Sequence, residues 1–129
     1  MQEYQCLLEH ARKAREKAYA PYSGFAVGAA VQSTAGAIYV GANVENASYG
    51  LTVCAERNAL IAAFLAGERN YLALAVMADS STPVFPCGAC LQVIRELAGN
   101  IKIISSNLEG PGKVFMLKDL YPYPFPPYG

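Results

Sequence analysis

The chain has 129 residues, 53% hydrophobic and 16% charged, the make-up of one folded domain with a single core rather than of a disordered segment. Ten basic residues balance ten acidic ones. This excludes the electrostatic footprint of a duplex nucleic-acid binder or a polybasic membrane binder and leaves a small, nearly neutral partner. No stretch approaches the roughly 20 apolar residues that span a bilayer. The opening "MQEYQCLLEHARK" carries charges too early for a secretory leader and lacks an apolar segment with a cleavage site, so a cytoplasmic location away from membranes is expected.

Leu7, Leu8, Ala11, Ala14 and Ala18 recur at three- and four-residue steps, with Arg12, Lys13, Arg15 and Glu16 between them. That spacing predicts an amphipathic helix. Pro21 and Gly24 in "YAPYSGF" end it, because both break helical geometry. "AVGAAVQST" and "AIYVGANV" read as two strands of a hairpin turning around Ala35 and Gly36. A second helix is expected from about Val53 to Leu65, with Gly67 close to its C-terminal end. "YLALAVMAD" is a nearly continuous apolar run, the pattern of a strand covered on both faces. "GACLQVIRELAG" reads as a short helix stopped by Gly99, and "IKIIS" and "KVFML" as two further strands. Strands that alternate with helices after an opening hairpin imply a layered α/β domain with a mixed sheet. With no internal repeat and no linker, residues 1–129 are expected to form one domain. The closing "YPYPFPPYG" holds too much proline for regular structure, yet its aromatics suggest that it packs.

The chemistry concentrates in "TVCAERNAL" and "FPCGAC". Each places cysteine in a loop that leads into a predicted helix, where free N–H groups and a partial positive charge favour the thiolate. In a reducing compartment, four cysteines at uneven spacing favour a metal or catalysis over disulfides. Two such helix starts side by side would gather Cys54, Cys87 and Cys90 into a soft, tetrahedral site suited to zinc. Cys6, beside Leu7, reads as a small buried apolar residue, and His10 sits among charged neighbours. Neither is taken as a fourth ligand, which leaves the open position of a catalytic site. Glu56 then stands in the first turn of a helix that points at the metal. An acid there also complements the helix dipole, but beside an open zinc position it can shuttle protons between water and a leaving group. Three thiolates and Zn2+ carry one net negative charge. Arg57 is expected to offset part of it by donating hydrogen bonds to a zinc-bound sulfur, the alternative being a solvated arginine on an exposed helix face.

C-A-E followed by P-C-x-x-C resembles the zinc nucleobase and nucleoside deaminases. More narrowly, "YAPYSGFAVGAA", "GANVENASYGLTVCAERNAL" and "PCGACLQVIREL" resemble the small cytidine deaminases in their order and spacing, and the likeness runs from the first helix to the tail. The resemblance implies a three-layer α/β/α sandwich with a mixed five-stranded sheet. It implies hydrolytic deamination of cytidine and 2′-deoxycytidine to the uridines with release of ammonia, a step of pyrimidine salvage. One Zn2+ per chain would be held by Cys54, Cys87 and Cys90, with Glu56 moving protons. Asn43 and Glu45 would hold the ribose 3′-hydroxyl, since an amide and a carboxylate can together donate to and accept from it; Asn43 and Asn46 also suit a turn after a strand. Phe25 resembles the aromatic that contacts the pyrimidine ring, although such a residue is often plain core. The backbone of Ala55 would read the edge of the base. Ala47 and Tyr49 resemble positions that reach a neighbouring subunit's site in a homotetramer, and Phe125, in "LYPYPF", one that covers an adjacent pocket.

Leu91 stands where the family commonly has an arginine, which removes any salt bridge made by that arginine but leaves the metal site intact. A blasticidin-type deaminase would share the zinc core, but "NVENASYG" resembles the cytidine enzymes better. A redox or zinc-binding module built on the CxxC of "PCGAC" leaves Cys54 and Glu56 without a role.

Overall fold

The computed structural model describes residues 2–125. Helix α1 (Gln5–Arg15) is followed by strands β1 (Val27–Ser33) and β2 (Ile38–Ala42), then α2 (Ala55–Leu65), β3 (Tyr71–Ala78), α3 (Gly88–Leu97), β4 (Lys102–Asn107), β5 (Lys113–Met116) and a last turn of helix, α4 (Leu117–Leu120). The strands form one sheet in the order β2-β1-β3-β4-β5. β3 and β4 run parallel, joined through α3, and the other neighbours are antiparallel. The sheet is therefore mixed and five-stranded. β3 lies at its centre and is buried from Ala73 to Ala78, which accounts for its unbroken apolar run.

Side chains alternate between two apolar clusters, as the two-residue period of a strand requires. Ala30, Ala73, Ala75, Met77 and Ile104 pack with Leu7, Leu8 and Ala11 of α1. Ala29, Val31, Leu74 and Ile103 pack with Ala55, Ala59, Leu60 and Ala63 of α2 and Ile94 of α3. One helix covers one face and two cover the other, which is the three-layer α/β/α arrangement. Two strand glycines set how closely the helices lie. A Cβ on Gly28 would collide with the backbone of Ala11 and Arg15, and one on Gly41 with that of Ala55, Asn58 and Ala59.

Three expectations need correction. The first helix ends at Arg15 and does not reach Ala18, because the following chain is drawn into a bridge with the end of the hairpin. Tyr19 N–H donates to Asn43 O at 2.9 Å, and Glu45 N–H to Tyr19 O at 2.8 Å. The second helix begins at Ala55 rather than Val53, since Val53 is held extended by reciprocal hydrogen bonds with Val44 at 2.9 and 3.0 Å. Leu117, read as strand, begins α4. Together the first two bridges lay residues 43–45 between Tyr19 and Val53 and so beside Cys54.

Candidate active site

Cys54 and Cys87 occupy equivalent places. Each is the N-cap of its helix, in extended backbone, with α2 beginning at Ala55 and α3 at Gly88. Cys90 lies in the first turn of α3 and is fully buried. The two helix starts meet, so that the three Sγ atoms lie within 4.8 Å of one another. Among the described residues this is the only group of three or more histidine, cysteine or acidic side chains so arranged.

The donor set fits zinc. Thiolates about 2.3 Å from a tetrahedral zinc lie about 3.8 Å apart, and Cys54 Sγ and Cys87 Sγ are separated by 3.7 Å. Three protein ligands leave one position for a reacting molecule. The local field also favours thiolate at Cys54, whose pKa is drawn down to about 5 by hydrogen bonding from Cys90, opposed by burial and helped by Arg57. Cys90, which faces the Cys54 thiolate and is buried, is pushed in the opposite direction. Arg57 Nη2 lies 3.4 Å from Cys54 Sγ, and this contact raises the guanidinium's own pKa.

Glu56 is only 4% exposed. Burial, with the nearby Cys54 charge, lifts its carboxyl to about 7, partly opposed by a backbone hydrogen bond and by Arg57. A carboxyl poised near neutrality both accepts and donates a proton.

The Cys54 and Cys87 thiols and Glu56 line a cleft of about 360 Å³. Phe25, Asn43, Glu45, Tyr49 and Ala55 also line it, as do Ser23, Val27, Thr52, Val76, Val84 and Phe85. Phe25 is 41% exposed, which separates it from a core aromatic. Asn43 is buried with both ends of its amide engaged, Oδ1 accepting from Val27 N–H at 2.8 Å and Nδ2 donating to Phe25 O at 2.9 Å. Glu45 Oε1 accepts from the N–H groups of Tyr22 and Ser23 at 3.0 and 3.1 Å, and Oε2 from the Ser23 hydroxyl. These donors, the Ser23 hydroxyl foremost, lower the Glu45 pKa against a smaller opposing effect of burial.

Not every anticipated residue meets in this cleft. Ala47 is exposed and Phe125 is 70% exposed, and neither lines it. Phe125 N–H donates to Tyr121 Oη at 3.0 Å, and Tyr121 in turn donates to Gln92 Oε1 at 2.5 Å. Tyr49 lines the cleft of its own chain and is 76% exposed. Cys6 is exposed, contrary to the buried role expected of it, with its Sγ 3.8 Å from His10 Nδ1. Leu91, on α3, is partly buried against the core cluster that α2 and α3 share with the sheet, so the position of the family's arginine is filled by apolar contact.

Sequence reasoning overlooked Ser23, Val27, Thr52, Val76, Val84 and Phe85. The valines and Phe85 carry no chemical signature apart from their place in the fold. Ser23 had one available signal, a hydroxyl inside the "YSGF" turn.

A cluster of three cysteine thiols at paired helix starts, a buried acid beside it and a cleft in an α/β/α sandwich define a zinc-dependent hydrolytic centre. The family described as the cytidine and deoxycytidylate deaminase zinc-binding region matches residues 1–105. A cytidine deaminase of Halalkalibacterium halodurans is 49% identical over 94% of this chain and 92% of its own length. One from Mycobacterium tuberculosis is 40% identical over 95% and 90%. The crystal structure of cytidine deaminase from Burkholderia pseudomallei superposes with a TM-score of 0.90 at 48% identity, covering 93% of this chain and 97% of that one. The chain belongs to the cytidine deaminase family.

Proposed function

We propose that the chain hydrolyses cytidine and 2′-deoxycytidine to uridine and 2′-deoxyuridine. Water oxygen becomes bonded to C4 of the base, the C4–N4 bond breaks and N4 leaves as ammonia. The observation that carries this reading is the buried Glu56 carboxyl lining the same cleft as the Cys54 and Cys87 thiols. Cys54, Cys87 and Cys90 would hold Zn2+, which when bound supplies the Lewis acidity that makes water nucleophilic near neutral pH. Glu56 takes one proton from the attacking water and delivers it to N3, then takes the remaining hydroxyl proton at C4 and passes it to N4 as the C4–N4 bond breaks and C4=O forms. Its burial keeps this traffic away from bulk solvent. Arg57 is assigned to charge balance, through its contact with Cys54 Sγ.

Substrate binding follows from the cleft lining. Phe25 offers an exposed ring face to the pyrimidine. The Ala55 N–H, in the first turn of α2, belongs to the set that has no partner within a helix and would read the base's edge. Asn43 and Glu45 would hold the ribose 3′-hydroxyl. After its bonds to Phe25 and Val27, the Asn43 amide retains one N–H and one lone pair, and Glu45 Oε2 retains an acceptor site. That remainder matches a group that both donates and accepts, as a sugar hydroxyl does.

The finer reading is of a cytoplasmic homotetramer in pyrimidine salvage, whose sites are completed by Ala47, Tyr49 and Phe125 of neighbouring subunits. Exposed Tyr49 and Phe125, and the exposed Ile61 and Leu65 on the outer face of α2, support it as surfaces suited to a second copy. No helix among the described residues is long and apolar enough to cross a membrane.

Ammonia release from cytidine, 2′-deoxycytidine, cytosine and blasticidin S by the purified protein tests the reading. Both nucleosides should turn over, and cytosine should be far poorer because the buried sugar partners would be left unpaired. Preference for blasticidin S would move the function to antibiotic deamination. Thiol-dependent disulfide reduction without deamination would move it to redox chemistry.

A further inference from the structure

We propose that Ser23 is a positioning residue for recognition of the sugar, because its hydroxyl fixes which oxygen of Glu45 remains open to the 3′-hydroxyl. The proposal rests on the assignment of Asn43 and Glu45 to the ribose.

Each carboxylate oxygen has about two acceptor sites. Both sites of Glu45 Oε1 are taken by the N–H groups of Tyr22 and Ser23. Oε2 accepts from the Ser23 hydroxyl, which leaves it a single site, and that site is the carboxylate's only free one. The same hydroxyl accepts a hydrogen bond from Phe25 N–H at 2.9 Å. Ser23 Oγ therefore joins the carboxylate to the residue that presents the aromatic ring, across a turn in which Gly24 takes φ +69°. Asn43 holds the chain that follows, up to the start of β1, through Phe25 O and Val27 N–H.

Without the Ser23 hydroxyl, Oε2 has two open acceptor sites and nothing orients the carboxylate about its Oε1 anchor. Phe25 N–H also loses its acceptor. The first loss affects only a ligand that uses Glu45, whereas the second affects any ligand in the cleft. A substrate pair that differs only in the 3′-hydroxyl separates the two.

The experiment compares kcat/KM for cytidine and 3′-deoxycytidine in the wild type, Ser23→Ala and Ser23→Thr. A hydrogen bond to a charged group should make the wild type favour cytidine by about 10–100-fold. In Ser23→Ala that preference should shrink by about tenfold, whatever loss the two substrates share, because the shared loss cancels in the ratio. Ser23→Thr keeps a hydroxyl and should restore the preference to within about threefold of wild type. An unchanged preference in Ser23→Ala, or a threonine variant no better than alanine, overturns the positioning role. A wild type indifferent to the 3′-hydroxyl overturns the ribose assignment itself, and so the proposal with it.

Discussion

At the scale of single residues, Glu56 and Arg57 are adjacent in the chain yet face different partners, because a helix turns by about 100° per residue. Glu56 is directed into the cleft and is buried, while the Arg57 guanidinium turns back to Cys54 Sγ. Glu56→Gln conserves shape and puts a hydrogen-bonding amide in place of the carboxyl, but it cannot carry a proton. It should keep zinc and the fold while turnover falls by at least about 10²–10⁴-fold, measured as ammonia release beside zinc content by elemental analysis. Activity within tenfold of wild type would remove Glu56 from the proton path. Arg57→Gln should retain stoichiometric zinc but lose about 10–100-fold in turnover or metal affinity, the usual effect of removing a group that supports a metal ligand. Chelator competition and steady-state kinetics together measure it, and wild-type values in both would leave Arg57 a structural residue.

At the scale of elements, the site depends on how closely α2 rides on the sheet. Gly41 allows the backbone of Ala55, Asn58 and Ala59 to approach β2 where no side chain would fit, and Asn58 Nδ2 fastens the same contact by donating to Ala42 O at 2.8 Å. Gly41→Ala should push the start of α2 away and destabilise the fold by about 1–3 kcal/mol, the range for overpacking, with a parallel loss of activity. Gly36→Ala is the control. Gly36 sits in the hairpin turn at φ +99° with open space around it, so alanine there should cost about 1 kcal/mol and leave kcat/KM unchanged. Urea midpoints with activity assays distinguish the two. If Gly41→Ala unfolds no more readily than Gly36→Ala, the close approach of α2 is not what holds the site.

For the whole molecule, the metal would link elements that sequence keeps apart. Cys54 starts α2 and Cys87 starts α3, with β3 between them, and Cys90 is buried in the core-facing turn of α3. Free energy of zinc binding is therefore expected to appear as folding stability. At a free zinc concentration 100 times Kd this contributes about 2.7 kcal/mol, so stripping the metal should lower Tm by roughly 10 °C. Added zinc should reverse the loss. Cys87→Ala should start from a lowered Tm and respond to neither chelator nor zinc. A wild-type Tm indifferent to chelation would separate the metal site from the fold.

Elements whose signal is local were legible in the sequence. The unbroken apolar run of β3, the hairpin around Gly36 and the helix stops at Gly67 and Gly99 depend on neighbours a few residues away, and both glycines do take positive φ, at +103° and +77°. The spacing of Cys54 to Glu56 and of Cys87 to Cys90 falls within one helical turn, so the cysteines that can hold a metal, and the acid proposed to move protons beside them, stand out in the sequence before any fold. Tertiary structure decided what depends on distant partners. α1 stops early because Tyr19 meets Asn43, and α2 starts late because Val53 meets Val44. Cys6 turns outward although its neighbours Leu7 and Leu8 turn in. Periodicity shows which face of a helix is apolar, but not where a flanking cysteine will lie. The hydrogen bonds of Asn43 and Glu45 to residues 22–27 span 16 to 23 positions. No short pattern encodes them, since they exist only once β1 and β2 have paired and the turn before β1 has closed over the cleft.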